Sequence, residues 1–180
     1  MKLVSEPLSG VKILEPFVFE DSRGCFVKPF HEDQLASHGI RMTLREEFFS
    51  TSARNVLRGM HFQHPPQAHQ KLIYCVSGKV LDVILDLRKS SKTYGEAISL
   101  ELSAENHHIL FIPVGFAHGF LSLEDNSCLI YKTDAAYAPD FDMGIHWKSF
   151  GFNWPNLGGM PIISPRDQGH APLSAYYSPF

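Results

Sequence analysis

The chain has no apolar run of about 18 residues, the length a membrane-crossing helix needs. Its opening, Met1-Lys2-Leu3-Val4-Ser5-Glu6-Pro7, also lacks the apolar stretch of a signal peptide. A soluble, cytoplasmic protein is therefore expected. Cysteine is scarce. Cys25, Cys75 and Cys128 form no Cys-x-x-Cys pair, and Cys75 and Cys128 sit inside apolar runs. Reduced, buried thiols are expected rather than redox or metal roles. The net charge is only −3, and no Lys/Arg cluster is long enough to follow a nucleic-acid backbone. Nucleic acid and membrane surfaces are thus not expected partners. Internal repeats, linkers and low-complexity segments are absent too. The 180 residues fit a single domain, 1–180. A domain of this size buries roughly 70% of its unfolded surface, so its core needs no staple.

Short strands with Gly and Pro between them dominate what is present. Gly10 to Phe19 reads as a strand that breaks at the polar turn Glu20-Asp21-Ser22-Arg23-Gly24. His31 to Gly39 is the one convincing short helix, with acidic residues in its first turn and Gly39 where a C-cap belongs. Leu72 to Val76 and Val80 to Leu87 flank Ser77-Gly78-Lys79, which predicts a tight hairpin. In the second run Leu81, Val83, Leu85 and Leu87 alternate with Val80, Asp82, Ile84 and Asp86, so the wholly apolar face is expected to be core. Ile98 to Leu102, His108 to Ile112, Phe116 to Leu123 and Cys128 to Thr133 continue the pattern. Trp147 to Phe180 has weak periodicity and reads as strap and loop. The fold class is therefore all-β, an antiparallel sandwich or barrel with one or two short helices, rather than βαβ units.

The stretch Leu57-Arg58-Gly59-Met60-His61-Phe62-Gln63, closing on Lys71, reads as a strand that presents polar groups into a cavity. Strict alternation would place Arg58 and His61 on opposite faces. If both line one pocket, a bulge is required at Gly59.

Later come Ile112-Pro113-Val114-Gly115-Phe116-Ala117-His118-Gly119-Phe120, Tyr131-Lys132, Tyr137-Ala138-Pro139 and Ser164-Pro165-Arg166-Asp167. With the Arg58–Gln63 segment and Lys71, these words resemble, in order and approximate spacing, the dTDP-4-dehydrorhamnose 3,5-epimerase family of nucleotide-sugar enzymes. The resemblance spans about Ile13 to Asp167. It implies a cupin-type jelly roll, a homodimer, no cofactor and no metal. The implied reaction inverts carbon 3, carbon 5 or both in a nucleoside-diphosphate 4-keto-6-deoxy sugar, foremost dTDP-4-dehydro-6-deoxyglucose going to dTDP-4-dehydrorhamnose.

Inverting a carbon beside a ketone needs a base on one face, an acid on the other, and a group that holds the enolate oxygen between the two steps. By resemblance His61 is the base, Asp167 its carboxylate partner, Lys71 the oxyanion holder and Tyr131 the proton donor. An imidazole titrates near neutrality, and a carboxylate on its second nitrogen fixes the tautomer. The resemblance also implies that Arg23 and Arg58 bind the nucleotide sugar, that Tyr137 stacks on the base, and that His118, in Pro113-x-Gly115-x-x-His118, contacts substrate. Lys71, Glu46, Asp142 and Arg166 complete the implied substrate-binding set. The chain departs from the common family pattern at Lys28, at Glu46-Glu47-Phe48 and at Ala136, which puts the substrate's identity, rather than the catalytic groups, in question. Two other readings stand beside this one. A metal-dependent cupin would gather His61, His64, His69 and His118 around a divalent ion, although no glutamate follows the first motif as such sites require. A catalytically silent sugar-nucleotide binding module on the same fold is the other.

Overall fold

The computed structural model describes all 180 residues. Every strand pairing within its sheets is antiparallel. The first group is β1 (Lys2–Leu8), β2 (Val11–Glu15), β3 (Phe17–Asp21) and β4 (Gly24–Lys28), followed by helix α1 (Glu32–Ser37). Then come β5 (Glu46–Ser52), β6 (Leu57–Gln63), β7 (Lys71–Ser77), β8 (Lys79–Asp86), β9 (Ala97–Ser103) and β10 (Ile109–Ile112). The chain closes with β11 (Phe116–Ser122), β12 (Ser127–Thr133), β13 (Asp142–Gly144) and helix α2 (Pro165–Gln168). One sheet runs β1-β2-β10-β7-β12-β5 and the other β13-β6-β11-β8-β9, while β3 and β4 pair only with each other. Two facing sheets of this kind form the expected all-β, cupin-like sandwich.

Three apolar layers hold it. Between the sheets pack Ile73, Cys75, Val80, Ile84, Leu110, Ile112, Phe116, Phe120 and Leu129. Outside the first sheet, Leu35 and Ile40 from α1 and the turn after it cover Leu14, Leu72, Tyr74, Ile109 and Phe111. The helix has its expected acidic first turn, Glu32 and Asp33. It ends before Gly39, whose φ of 75° suits the residue that closes a helix. Outside the second sheet, Phe150, Phe152, Trp154, Leu173, Tyr176 and Phe180 of the C-terminal strap cover Met60, Phe62, Val83, Leu85 and Leu87.

Two sequence expectations need correction. Ser77-Gly78-Lys79 does not make a hairpin, because β7 and β8 lie in different sheets. Gly78, at φ 67°, turns the chain from one sheet to the other against Ser127, leaving no room for a Cβ. The same turn residues serve either geometry. The apolar face of β8 is buried, but under the strap. Its other face, carrying Val80, Asp82, Ile84 and Asp86, is the one that looks between the sheets. Both faces are covered, so alternation alone could not tell inside from outside. The cysteines are all free thiols, but only Cys75 is fully buried. Cys128 is half-buried and Cys25 exposed.

Candidate active site

A cavity of about 270 Å³ opens between the sheets, lined among others by Arg58, His61, Lys71, His118, Tyr131, Tyr137, Asp142 and Arg166. Its chemistry comes from both walls. His61 on β6 and His118 on β11 are register partners in one sheet. Lys71 on β7 and Tyr131 on β12 come from the other.

Arg58 and His61 do share a face. The β6–β11 register pairs His61 with His118 and Arg58 with Phe120, so β6 carries one residue more than β11 across this interval. That is the bulge alternation demanded. Gly59 sits in it at φ 130°, and a Cβ there would come within 2.5 Å of Gly119 Cα. The Gly59–Met60 peptide is cis.

His61 Nε2 bonds Asp167 Oδ1 at 2.8 Å, which leaves Nδ1 to carry the lone pair. Asp167 is buried in the first turn of α2, where its N–H donates to Ser164 Oγ at 3.1 Å. Its other oxygen accepts the Gly59 N–H at 3.1 Å, so the bulge also fixes the carboxylate. Burial works against the charge on Asp167. The imidazoles of His170 and His61 and the Gly59 N–H overcome it and hold the carboxyl well below its usual range. Burial also lowers the His61 pKa, outweighing the pull of Asp167, so the ring is neutral at neutral pH and free to accept a proton.

Lys71 donates to the His61 carbonyl at 3.1 Å. Burial brings its pKa down to about 8, while Asp142 and Asp82 resist the shift. At pH 7 it is still mostly charged, although almost wholly buried. Tyr131 is held between rings. Phe48 stacks on it at 4.8 Å and 11°, and His118 meets it edge-on at 6.0 Å. Burial pushes its phenol far up, so it keeps its proton. His118 Nε2 is tied at 2.8 Å to the fully buried Asp82.

The mouth is polar. Arg58 is braced by Ser52 Oγ at 3.1 Å and the Thr51 carbonyl at 3.2 Å. Arg166 pairs with Asp142 at 2.7 Å, and Tyr137 Oη donates to the same carboxylate at 3.2 Å. Glu46 accepts the Tyr137 N–H at 2.5 Å. Arg23 alone among the expected residues stays away. It sits at the tip of the β3–β4 hairpin, exposed and bonded to Asp21. β3 and β4 pair only with one another, so nothing in this chain carries Arg23 to its own cavity.

The four histidines of the metal-cupin reading do not converge. His64 bonds Tyr176 Oη at 2.8 Å under the strap, and His118 is taken by Asp82. His69 does line the cavity, but it belongs to neither of the side-chain sets close enough to share an ion. Two other sets of side chains could hold a cation: Glu20, Cys25 and His107 near the surface, and His61 of the cavity wall with Asp167 and His170. Sequence reasoning missed Asp82, His170 and the stacking role of Phe48. Only Asp82 carried a signal, as a charge spaced evenly among residues that pack between the sheets.

A sandwich with an imidazole–carboxylate pair on one wall and an amine and a phenol on the other defines a cupin-like acid–base site. The model of the dTDP-4-dehydrorhamnose 3,5-epimerase family matches residues 5–175. An epimerase of that name from Methanothermobacter thermautotrophicus is 41% identical over 176 residues, 96% of this chain and 94% of its own. The dTDP-4-dehydrorhamnose 3,5-epimerase of Bacillus anthracis, solved with TDP and PPi bound, superposes with a TM-score of 0.91 at 37% identity, covering 96% of this chain and 99% of that one. The Legionella pneumophila dTDP-6-deoxy-D-glucose-3,5-epimerase, in complex with dTDP-4-keto-L-rhamnose, gives 0.92 at 33% identity, covering 97% and 93%. The chain belongs to the dTDP-4-dehydrorhamnose 3,5-epimerase family.

Proposed function

We propose that this chain is an isomerase that inverts carbon 3, carbon 5 or both in a dTDP-4-keto-6-deoxy sugar through an enolate. The observation that carries the reading is the division of groups between two walls. His61, hydrogen-bonded to Asp167, stands in one sheet, and Lys71 and Tyr131 stand in the other. His61 Nδ1 removes the proton beside the carbon 4 ketone, and its partner Asp167 stabilises the imidazolium that forms. Lys71 holds the oxygen that becomes negative, an interaction strengthened by its burial. Tyr131 returns a proton from the opposite face. Carbons 3 and 5 both flank the ketone, so one site can treat each in turn. Arg58 and Arg166 at the mouth suit diphosphate oxygens. Tyr137, 58% exposed there, offers a ring for the nucleotide base.

The same reading makes the chain a single domain that works in the cytoplasm as a homodimer. The exposed Phe17, Phe19 and Phe26 of the β3–β4 hairpin, with Arg23 at its tip, support this, because the arm pairs with no other strand of its own chain. In a dimer it would bring Arg23 to the partner's diphosphate. Incubation with dTDP-4-keto-6-deoxyglucose in D2O, followed by proton NMR, tests the activity. Deuterium at carbons 3 and 5 marks a double epimerase, and deuterium at one carbon a single one. No exchange with this or any other 4-keto sugar nucleotide would sink the reading.

A further inference from the structure

On the side of Asp167 away from the Gly59 N–H lies a second imidazole that the epimerase reading does not use. His170 Nε2 faces the Asp167 carboxylate at 3.6 Å from Oδ1, close enough to feel its charge but too far for a hydrogen bond, and it has no other hydrogen-bond partner. A buried nitrogen without a hydrogen bond is open to a ligand that the chain itself does not supply. The ring is held in place. It lies so close over Gly144 that a Cβ there would collide with it. The next residue, Ala171, is bridged to Ile145 and accepts the His146 N–H at 2.9 Å. His61 and His170 sit edge-on with centroids 5.8 Å apart, and one ligand atom from each of His61, Asp167 and His170 falls within 4.8 Å of the others.

We propose that His61 Nε2, Asp167 Oδ1 and His170 Nε2 form a three-ligand site for a divalent transition metal of the zinc class, and that metal bound there caps the base. In a tetrahedral site with bonds near 2.0–2.1 Å, ligand atoms stand about 3.3 Å apart. The 2.8 Å and 3.6 Å separations from the carboxylate bracket that spacing, and the two imidazole nitrogens lie within 4.8 Å of each other. Two imidazoles and a carboxylate select zinc, cobalt, nickel or copper over magnesium and calcium. The fourth position falls to water.

The consequence follows from the tautomer and rests on His61 being the base. In the metal-free pair, Nε2 carries the proton toward Asp167 and Nδ1 is the free acceptor. Metal on Nε2 displaces that proton, and a neutral imidazole must then carry its one N–H at Nδ1. The atom that should accept the substrate's proton is already occupied. The proton moves from one nitrogen to the other through solvent and none is lost overall.

The test is a cobalt(II) titration of the chelator-stripped protein without substrate, since a diphosphate would itself bind metal. One equivalent per chain should give the strong visible absorption of four-coordinate cobalt, and metal-edge X-ray absorption on the unaltered protein should count two imidazoles. His170→Gln and His170→Asn should weaken binding by more than about tenfold. Each variant's epimerase rate, relative to its own chelated rate, should then become insensitive to cobalt or zinc, while the unaltered enzyme loses activity in step with occupancy and regains it with EDTA. Three results would overturn the proposal: cobalt left six-coordinate, binding unchanged in both variants, or a metal-loaded enzyme that turns over at full rate. The titration needs no sugar, so it stands or fails apart from the epimerase reading.

Discussion

Strand β8 carries two aspartates on one face, Asp82 and Asp86, both fully buried. Their surroundings differ completely. Asp86, at one end of the sandwich, takes hydrogen bonds from the Arg88 backbone and guanidinium and from the Ser91 and Thr93 hydroxyls at 2.7–2.9 Å. Burial opposes its charge, but these partners prevail and set its pKa at about 2. Asp82, beside the cavity, has one oxygen on His118 and the other without a partner, and burial pushes its carboxyl up. The first is a finished ion pair that ties a loop to the sheet. The second is an unfinished one, whose spare capacity faces His118 and Lys71. Buried charge is costly in either place. At the closed end the cost is offset on the spot, and at the open end it is left to act on His118 and Lys71, which line the cavity.

Mutation should separate the two ends, and the largest effect belongs to the cavity. His61→Ala should lower kcat by about 10²–10⁴, the usual worth of a general base, with the urea midpoint almost unmoved. Asp86→Ala should do the reverse. It strands Arg88 and the two hydroxyls, so urea unfolding should show a loss of about 3–5 kcal/mol, with turnover per folded molecule retained. Asp82→Asn keeps the shape and removes the charge, and should cost less than about 1 kcal/mol in the same unfolding assay. Freed of its anchor, His118 should then slow turnover by up to about a hundredfold. If Asp86→Ala proved harmless and Asp82→Asn unfolded the protein, the contrast would be inverted.

Smaller effects come with pH. Asp86 titrates at about 2 against 3.8 when free, so its stabilisation is complete above about pH 4 and is lost as pH falls through 2. Asp82 is shifted upward, so its charged form costs stability and acidification relieves that cost. Stability curves of Asp86→Asn and Asp82→Asn should therefore depart from the parent in opposite directions on the acid side. The rate should be flat near pH 7, because His61 is already neutral there. It should fall by about half at pH 8, where Lys71 begins to lose its charge.

The same strand shows how much could be read in advance. The words around His61, Lys71, Tyr131 and Asp167 were legible through their resemblance, in order and spacing, to a family pattern rather than from the residue types alone, and the structure gathers all four at one site. The bulge at Gly59 was legible as a conflict between alternation and function. The inward face of β8 was not, because both faces are buried and the covering strap, Trp147 to Phe180, has no period to announce it. Ser77-Gly78-Lys79 misled for a related reason, since a hairpin and a change of sheet use the same turn residues. His170 gave no sign at all. It meets Asp167 at the three-residue spacing of a helical turn, at the close of a helix too short to show a period in the sequence.

The central claim is that base and acid stand on opposite sheets and act separately. Solvent deuterium uptake by Tyr131→Phe tests it most directly. The account predicts that His61 still exchanges the substrate's protons with D2O while almost no inverted sugar forms, and that His61→Ala does neither. If Tyr131→Phe loses exchange as completely as His61→Ala, the division of labour between the two walls is wrong.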